Sequence, residues 1–147
     1  MAMPRTVENG FDAIVVDKED HTVAFVQVKT HPQGEWAANL SRQLAECSER
    51  VAFVLTVDPN HIYLYRPAGE NLGDPIVHLD TRLVLQHYDP EFPKKRVFEP
   101  YLLTLVEAWL RDLAYHWKSE NPPGSEELGK SGLLEKIEGG TTQRLGA

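Results

Sequence analysis

Asp12, Gln27 and Lys29 are the residues whose types and spacing could do chemistry. They fall in two apolar runs, FDAIVV at 11–16 and TVAFVQVKT at 22–30, separated by the polar DKEDH at 17–21. Alternation along a strand sends Val23, Phe25, Gln27 and Lys29 to one face and Ala24, Val26 and Val28 to the other. A strand built only to pack would end that face in apolar side chains; this one ends it in an amide and an ammonium. If the two runs form a hairpin, its turn decides what lies opposite. Pairing Asp17 with Thr22 sets Asp12 across from Gln27, and pairing Lys18 with Val23 sets it across from Lys29. Either register puts the carboxylate on the face of the amide and the ammonium.

Such a trio suits metal-assisted phosphodiester hydrolysis. Mg²⁺, or Mn²⁺ in its place, takes oxygen ligands and keeps waters and substrate phosphate in its shell. Asp12 would supply the charged ligand, with the Gln27 amide oxygen and the Val28 carbonyl beside it. A metal-bound water would be the nucleophile. Lys29 would orient that water or offset the charge that builds on the phosphate.

With FDAIVVD followed by FVQVKT, the chain resembles the PD-(D/E)XK, or restriction-endonuclease-like, nuclease superfamily. In that likeness Asp12 is the first acid and Gln27-Val28-Lys29 the (D/E)XK element. Gln stands for the second acid, as in Mrr-type restriction enzymes and a transposase endonuclease subunit. Gln43, in RQLAE, is similar to the helical Gln motif of RecB-type members. The resemblance runs from about Glu8 to Tyr65. It implies a restriction-endonuclease-like core, DNA as the partner, and catalytic roles for Asp12, Gln27 and Lys29. Members usually place a helix, often with another acid, before the Asp-bearing strand. Here eleven residues precede Asp12, and Glu8 is the sole candidate for that acid. A neutral Gln27 also leaves a weaker cation site. Three expectations follow: a metal-dependent DNA endonuclease domain, a catalytically inactive module of the same fold serving protein interaction or assembly, or an unrelated α/β domain with a coincidental motif.

The elements that must hold these residues read as β-β-α-β-β-α-α. After the hairpin, Trp36, Leu40, Leu44 and Cys47 recur at helical spacing within 35–49. VAFVLTV at 51–57 has the continuous apolar character of a strand buried on both faces. A strand at 62–65 and a loop at 66–75 follow. Asp80 caps a short helix through Tyr88, and Pro100 sits in the first turn of a long helix to about Lys118. The expected fold is a mixed central sheet flanked by helices, one domain over residues 1–120. Residues 121–147 are expected to be a flexible tail, in which Leu133, Leu134 and Ile137 form a turn or two of helix. The long helix is apolar over much of its circumference, which points to burial or to a partner, through a homodimer or a larger assembly.

Composition narrows the classes. A formal charge of −7 argues against broad phosphate-driven binding of nucleic acid, though not against a metal-bridged phosphate. The compact basic run, Lys94-Lys95-Arg96, reads as a solvated loop. The six histidines lack structural-zinc spacing, and the single cysteine, Cys47, lies on an apolar stripe and fits a reducing cytoplasm. No apolar run approaches the ~18 residues of a membrane helix, and no hydrophobic leader opens the chain, so a cytoplasmic protein without a membrane partner is expected.

Overall fold

A computed structural model describes residues 10–47, 50–69 and 71–145. Glu8 lies outside the described residues. The elements are β1 (Ala13–Val16), β2 (Thr22–Val28), α1 (Leu40–Glu46), β3 (Phe53–Val57), β4 (His61–Tyr65), β5 (Val77–Asp80), α2 (Thr81–Leu85), α3 (Glu99–Tyr115), α4 (Ser125–Ser131), α5 (Leu133–Ile137) and β6 (Thr141–Arg144). One mixed sheet of six strands, ordered β5-β4-β3-β2-β1-β6, carries them. β2 and β3 run parallel, joined by the α1 crossover; every other neighbouring pair is antiparallel.

The sheet separates two apolar layers. Ala13, Val15, Val26, Val28, Leu55 and Leu64 point to α3, against Leu102, Val106, Trp109 and Leu110. Ile14, Phe25 and Val54 point the other way, to Trp36, Leu40, Leu44 and Cys47. Among the described residues of the helix expected over 35–49, 40–46 is α-helical; 33–35 and 37–39 are 3₁₀ turns. Its four apolar stripe residues are buried all the same. Asp80 caps α2 by accepting from the N–H groups of Arg82 and Leu83. Pro100 sits in the first turn of α3.

Residues 125–145 do not form the expected tail. α4 and α5 bury Leu128, Leu133 and Ile137 in the α3 layer. β6 then pairs with β1 from Ala13↔Arg144 to Val16↔Thr141. A strand with little apolar character takes an edge position because its partner there is backbone, and backbone pairing is almost indifferent to side-chain type. The approach is close at Gly140, where a Cβ would lie 1.8 Å from the Val16 carbonyl oxygen. Arg144 fastens the strand to α3: its Nε donates to Glu107 Oε1 at 2.7 Å and its Nη2 to Thr104 Oγ1 at 2.9 Å. The broad apolar girth of α3 is therefore met largely within the chain. Tyr115, at its C-terminal end, and Trp117 just beyond remain half exposed.

The end of α3 is fixed by Asp112, which is fully buried. Its carboxylate accepts from Tyr88 Oη at 2.7 Å and from the N–H groups of Lys118 and Ser119 at 2.9 and 3.0 Å. Burial pushes this acid up, but the hydrogen bonds together outweigh it and its pKa is lowered. His116 terminates the helix in the left-handed conformation.

Candidate functional site

The edge where β1 begins and β2 and β3 end gathers the polar residues. Its register follows from two local features. Asp17 accepts from the backbone N–H groups of Glu19 and His21, which folds 17–21 into a tight turn. A shift between Val15 and Val16 then restores pairing so that Ala13 faces Val26 and Ile14 faces Phe25. This continues the register of the first alternative, with Asp12 next to Gln27, but the ladder loosens there. Both strands end, and the Asp12 N–H donates to Val26 O at 2.9 Å.

The Asp12 carboxylate turns along the end of β2, where Oδ2 accepts from the Val28 N–H at 2.7 Å. What Val28 contributes here is its N–H. Asp12 opens onto a cleft of about 360 Å³ whose walls are Glu99, Pro100, Leu103, Arg144 and Leu145. Burial raises the Asp12 pKa; the Val28 bond and the Lys29 charge oppose this, and the Glu99 carboxylate adds to it, leaving a net rise. The site thus holds an acid whose charge is under-compensated, beside a second acid and an ammonium.

Gln27 is placed differently. By strand alternation it shares the face of Phe25, on the α1 side, and it is fully buried. It does not line the cleft, which opens towards the first turn of α3. Neither its Oε1 nor its Nε2 has a hydrogen-bond partner. A buried amide left unpaired costs on the order of 1–3 kcal/mol per group. Gln43 also lies on the α1 side, its Nε2 2.8 Å from where a Cβ at Gly10 would stand. The structure brings Asp12 together with the Lys29 charge and leaves Gln27 and Gln43 beneath the other face.

Gln33 divides the polar edge in two. Its N–H donates to Asp58 Oδ2 at 3.0 Å, its Nε2 to His61 O at 2.8 Å, and its Oε1 accepts from Thr56 Oγ1. Asp58 also accepts from the N–H groups of Asn60 and His61, both at 2.7 Å. Beyond this plug, on the α1 face of β4 and β5, lie His61, Tyr63 and His78.

Sequence reasoning missed Glu99 as a site residue. Its one signal was its place just before Pro100, at a helix start where acids are favoured; nothing in the sequence sets that helix against Asp12. Lys94 and Arg96 of the basic run are exposed, as expected, and precede Glu99 by five and three residues. Lys95 is tied to Asp89, Nζ to Oδ2 at 2.8 Å. Among the described residues no group of three or more His, Cys, Asp or Glu side chains is arranged to hold a metal ion. No helix among them is long and apolar enough to cross a membrane. No family model matches the chain, and no match was found among curated proteins or solved structures.

Proposed function

We propose that the Asp12 edge is the centre of a divalent-metal-dependent DNA endonuclease domain. The observation that carries this reading is the meeting of Asp12 and Glu99 at one cleft, with Lys29 close enough to act on the Asp12 charge. Two carboxylates with too little positive charge around them favour a hard cation. The resemblance to PD-(D/E)XK nucleases called for a helix bearing an acid and lying before the Asp strand. In this chain α3, with Glu99, and β6, beside β1, offer such parts from downstream in the sequence. Glu99 then takes the ligand role that sequence reasoning gave to Gln27, and the metal is Mg²⁺ or Mn²⁺. Asp12 and Glu99 would hold the ion, which supplies an activated water. Lys29 would offset charge on the phosphate, and exposed Lys94 and Arg96 would meet the backbone of the DNA.

The test is Mn²⁺ and Mg²⁺ calorimetry on the wild type, Asp12→Ala and Glu99→Ala, alongside nicking of supercoiled plasmid. Binding and nicking lost in both variants supports the reading. Metal binding unaltered by either substitution refutes it.

A second reading has its own observation. Tyr115 and Trp117 leave an apolar patch with Ala108 and Arg111 on the solvent side of α3. Such a patch suits a domain of this fold that no longer cleaves and serves protein interaction or assembly, as a homodimer or within a larger machine. Wild-type protein that binds neither Mg²⁺ nor Mn²⁺ but self-associates, with the association lost in Trp117→Ser, favours this reading over the first.

A further inference from the structure

The half of the edge beyond Gln33 carries a pair of imidazoles that the reading above does not use. His61, at the start of β4, and His78, on β5, are both exposed, and His61 Nδ1 lies 2.9 Å from His78 Nε2. Tyr63 holds them in place. It pairs with His78 across the β4–β5 ladder and shares its face with His61. Its ring stacks on His78 at 4.7 Å between centroids, 19° from parallel, and on His61 at 5.8 Å, 21° from parallel. Stiff strands and a stacked ring hold two nitrogen atoms within reach of one ion, which removes much of the ordering cost of chelation.

The two nitrogens are close enough to share one ion. Nitrogen ligands about 2.0–2.1 Å from a common metal stand about 2.9 Å apart when they subtend a right angle, and about 3.3 Å apart at a tetrahedral angle. The observed 2.9 Å is the hydrogen-bond distance of the ligand-free pair, and a small opening of the two exposed rings admits an ion at either angle. Square-planar and tetragonal sites with imidazole ligands are those of Cu(II) and Ni(II), and Cu(II) heads the affinity order of the first-row divalent ions. We propose that His61 and His78 form a bidentate surface site for a divalent transition ion, Cu(II) first and Ni(II) second, with water completing the shell. In the free protein one imidazole donates to the other. On binding, the donor keeps its proton by moving it through solvent to its other ring nitrogen, so both rings stay neutral and each gives a lone pair to the metal. The site needs none of Asp12, Glu99 or Lys29.

The experiment is a titration of the full chain with CuCl₂, NiCl₂ and ZnCl₂ by calorimetry, with electron paramagnetic resonance of the Cu(II) form. One Cu(II) per chain is expected, with a spectrum of two imidazole nitrogen ligands and affinity in the order Cu, Ni, Zn. His61→Ala and His78→Ala should each weaken Cu(II) binding at least tenfold. Tyr63→Leu should weaken it less while keeping both nitrogens in the spectrum. Asp12→Ala should bind Cu(II) like the wild type, which separates this site from the Asp12 cleft. If either alanine variant is poorly folded by circular dichroism, His61→Gln and His78→Gln replace them, since Gln retains a polar head on an exposed strand. Cu(II) affinity unchanged by loss of either imidazole, or a one-nitrogen spectrum in the wild type, overturns the proposal.

Discussion

Replacing Ile137 by Ala tests whether residues beyond 124 belong to the domain. Ile137 is fully buried, with Leu128 and Leu133, in the layer between the sheet and α3. Cutting a fully buried Ile back to Ala removes three carbons and leaves a cavity, which costs about 2–5 kcal/mol. A domain of this size holds on the order of 5–15 kcal/mol in total. At about 3–4 °C per kcal/mol, the thermal midpoint should fall by about 6–20 °C. Deleting everything after Pro123 should do more. It uncovers the α3 surface under all three side chains and strips β1 of its β6 partner, leaving its outer N–H and C=O groups unpaired beside apolar side chains. That truncated chain should lose its cooperative transition and bind a hydrophobic dye. The assay is scanning calorimetry of the wild type, Ile137→Ala and the truncation at equal concentration. A midpoint within about 2 °C of the wild type for either variant would show that the segment detaches freely, and the burial argument would be wrong.

Three further outcomes are expected. The folded state binds the Asp12 proton more tightly than the unfolded chain does, because its pKa is raised; this group therefore favours folding at low pH, and that contribution is lost as pH rises through the folded value. Asp12→Asn, which can still accept from the Val28 N–H, should raise the midpoint at pH 7 in chelator by a few degrees, with the gain vanishing towards the ordinary carboxylate value of 3.8; no gain at pH 7 counts against the desolvation argument. Arg144→Ala strands the Glu107 carboxylate, only 7% exposed, and should cost about 1–3 kcal/mol in urea unfolding, while adding Glu107→Gln recovers most of the loss; a double mutant as unstable as the sum of the singles would deny the pairing. Gly140→Ala forces a Cβ into the Val16 carbonyl and should cost about 2–4 kcal/mol, read as a lower urea midpoint at unchanged slope.

The hairpin, the crossover and the long helix were legible because their signals are local. β-branched runs, a polar turn, the Asp80 cap and Pro100 each act within a few residues. Register near Asp12 was legible only in part. The alternatives rested on a regular ladder, whereas the structure shifts register between Val15 and Val16 and loosens pairing at Asp12. That is enough to turn the carboxylate to the end of β2 while Gln27 stays beneath α1. β5 and β6 were missed for a shared reason. VHLD and TTQR are short, and β6 lacks apolar alternation, so their places come from partners that lie far away in sequence. Glu99 was invisible as a site residue for the same reason, since its neighbour is 87 positions upstream. The C-terminal helices looked like a tail because three apolar residues among glycines and charges make a weak amphipathic signal. Their burial depends on a groove that exists only once α3 has docked.

The pairing of β1 with β6 carries a consequence for how the chain comes to be folded. Ala13 meets Arg144 across about 130 residues of sequence, while the β1–β2 hairpin closes over a handful. During synthesis at about 5–20 residues per second, β1 exists for several seconds before its outer partner leaves the ribosome. Throughout that interval the Val-rich strand is an open edge, able to template another nascent chain. The polar DKEDH turn and the early β2 pairing are then its protection, and β6 arrives last as a lid on the ladder. Folding that waits on such a long loop closure is slow. Yield on expression should therefore respond to temperature and to chaperone supply more strongly than the stability of the finished domain would suggest.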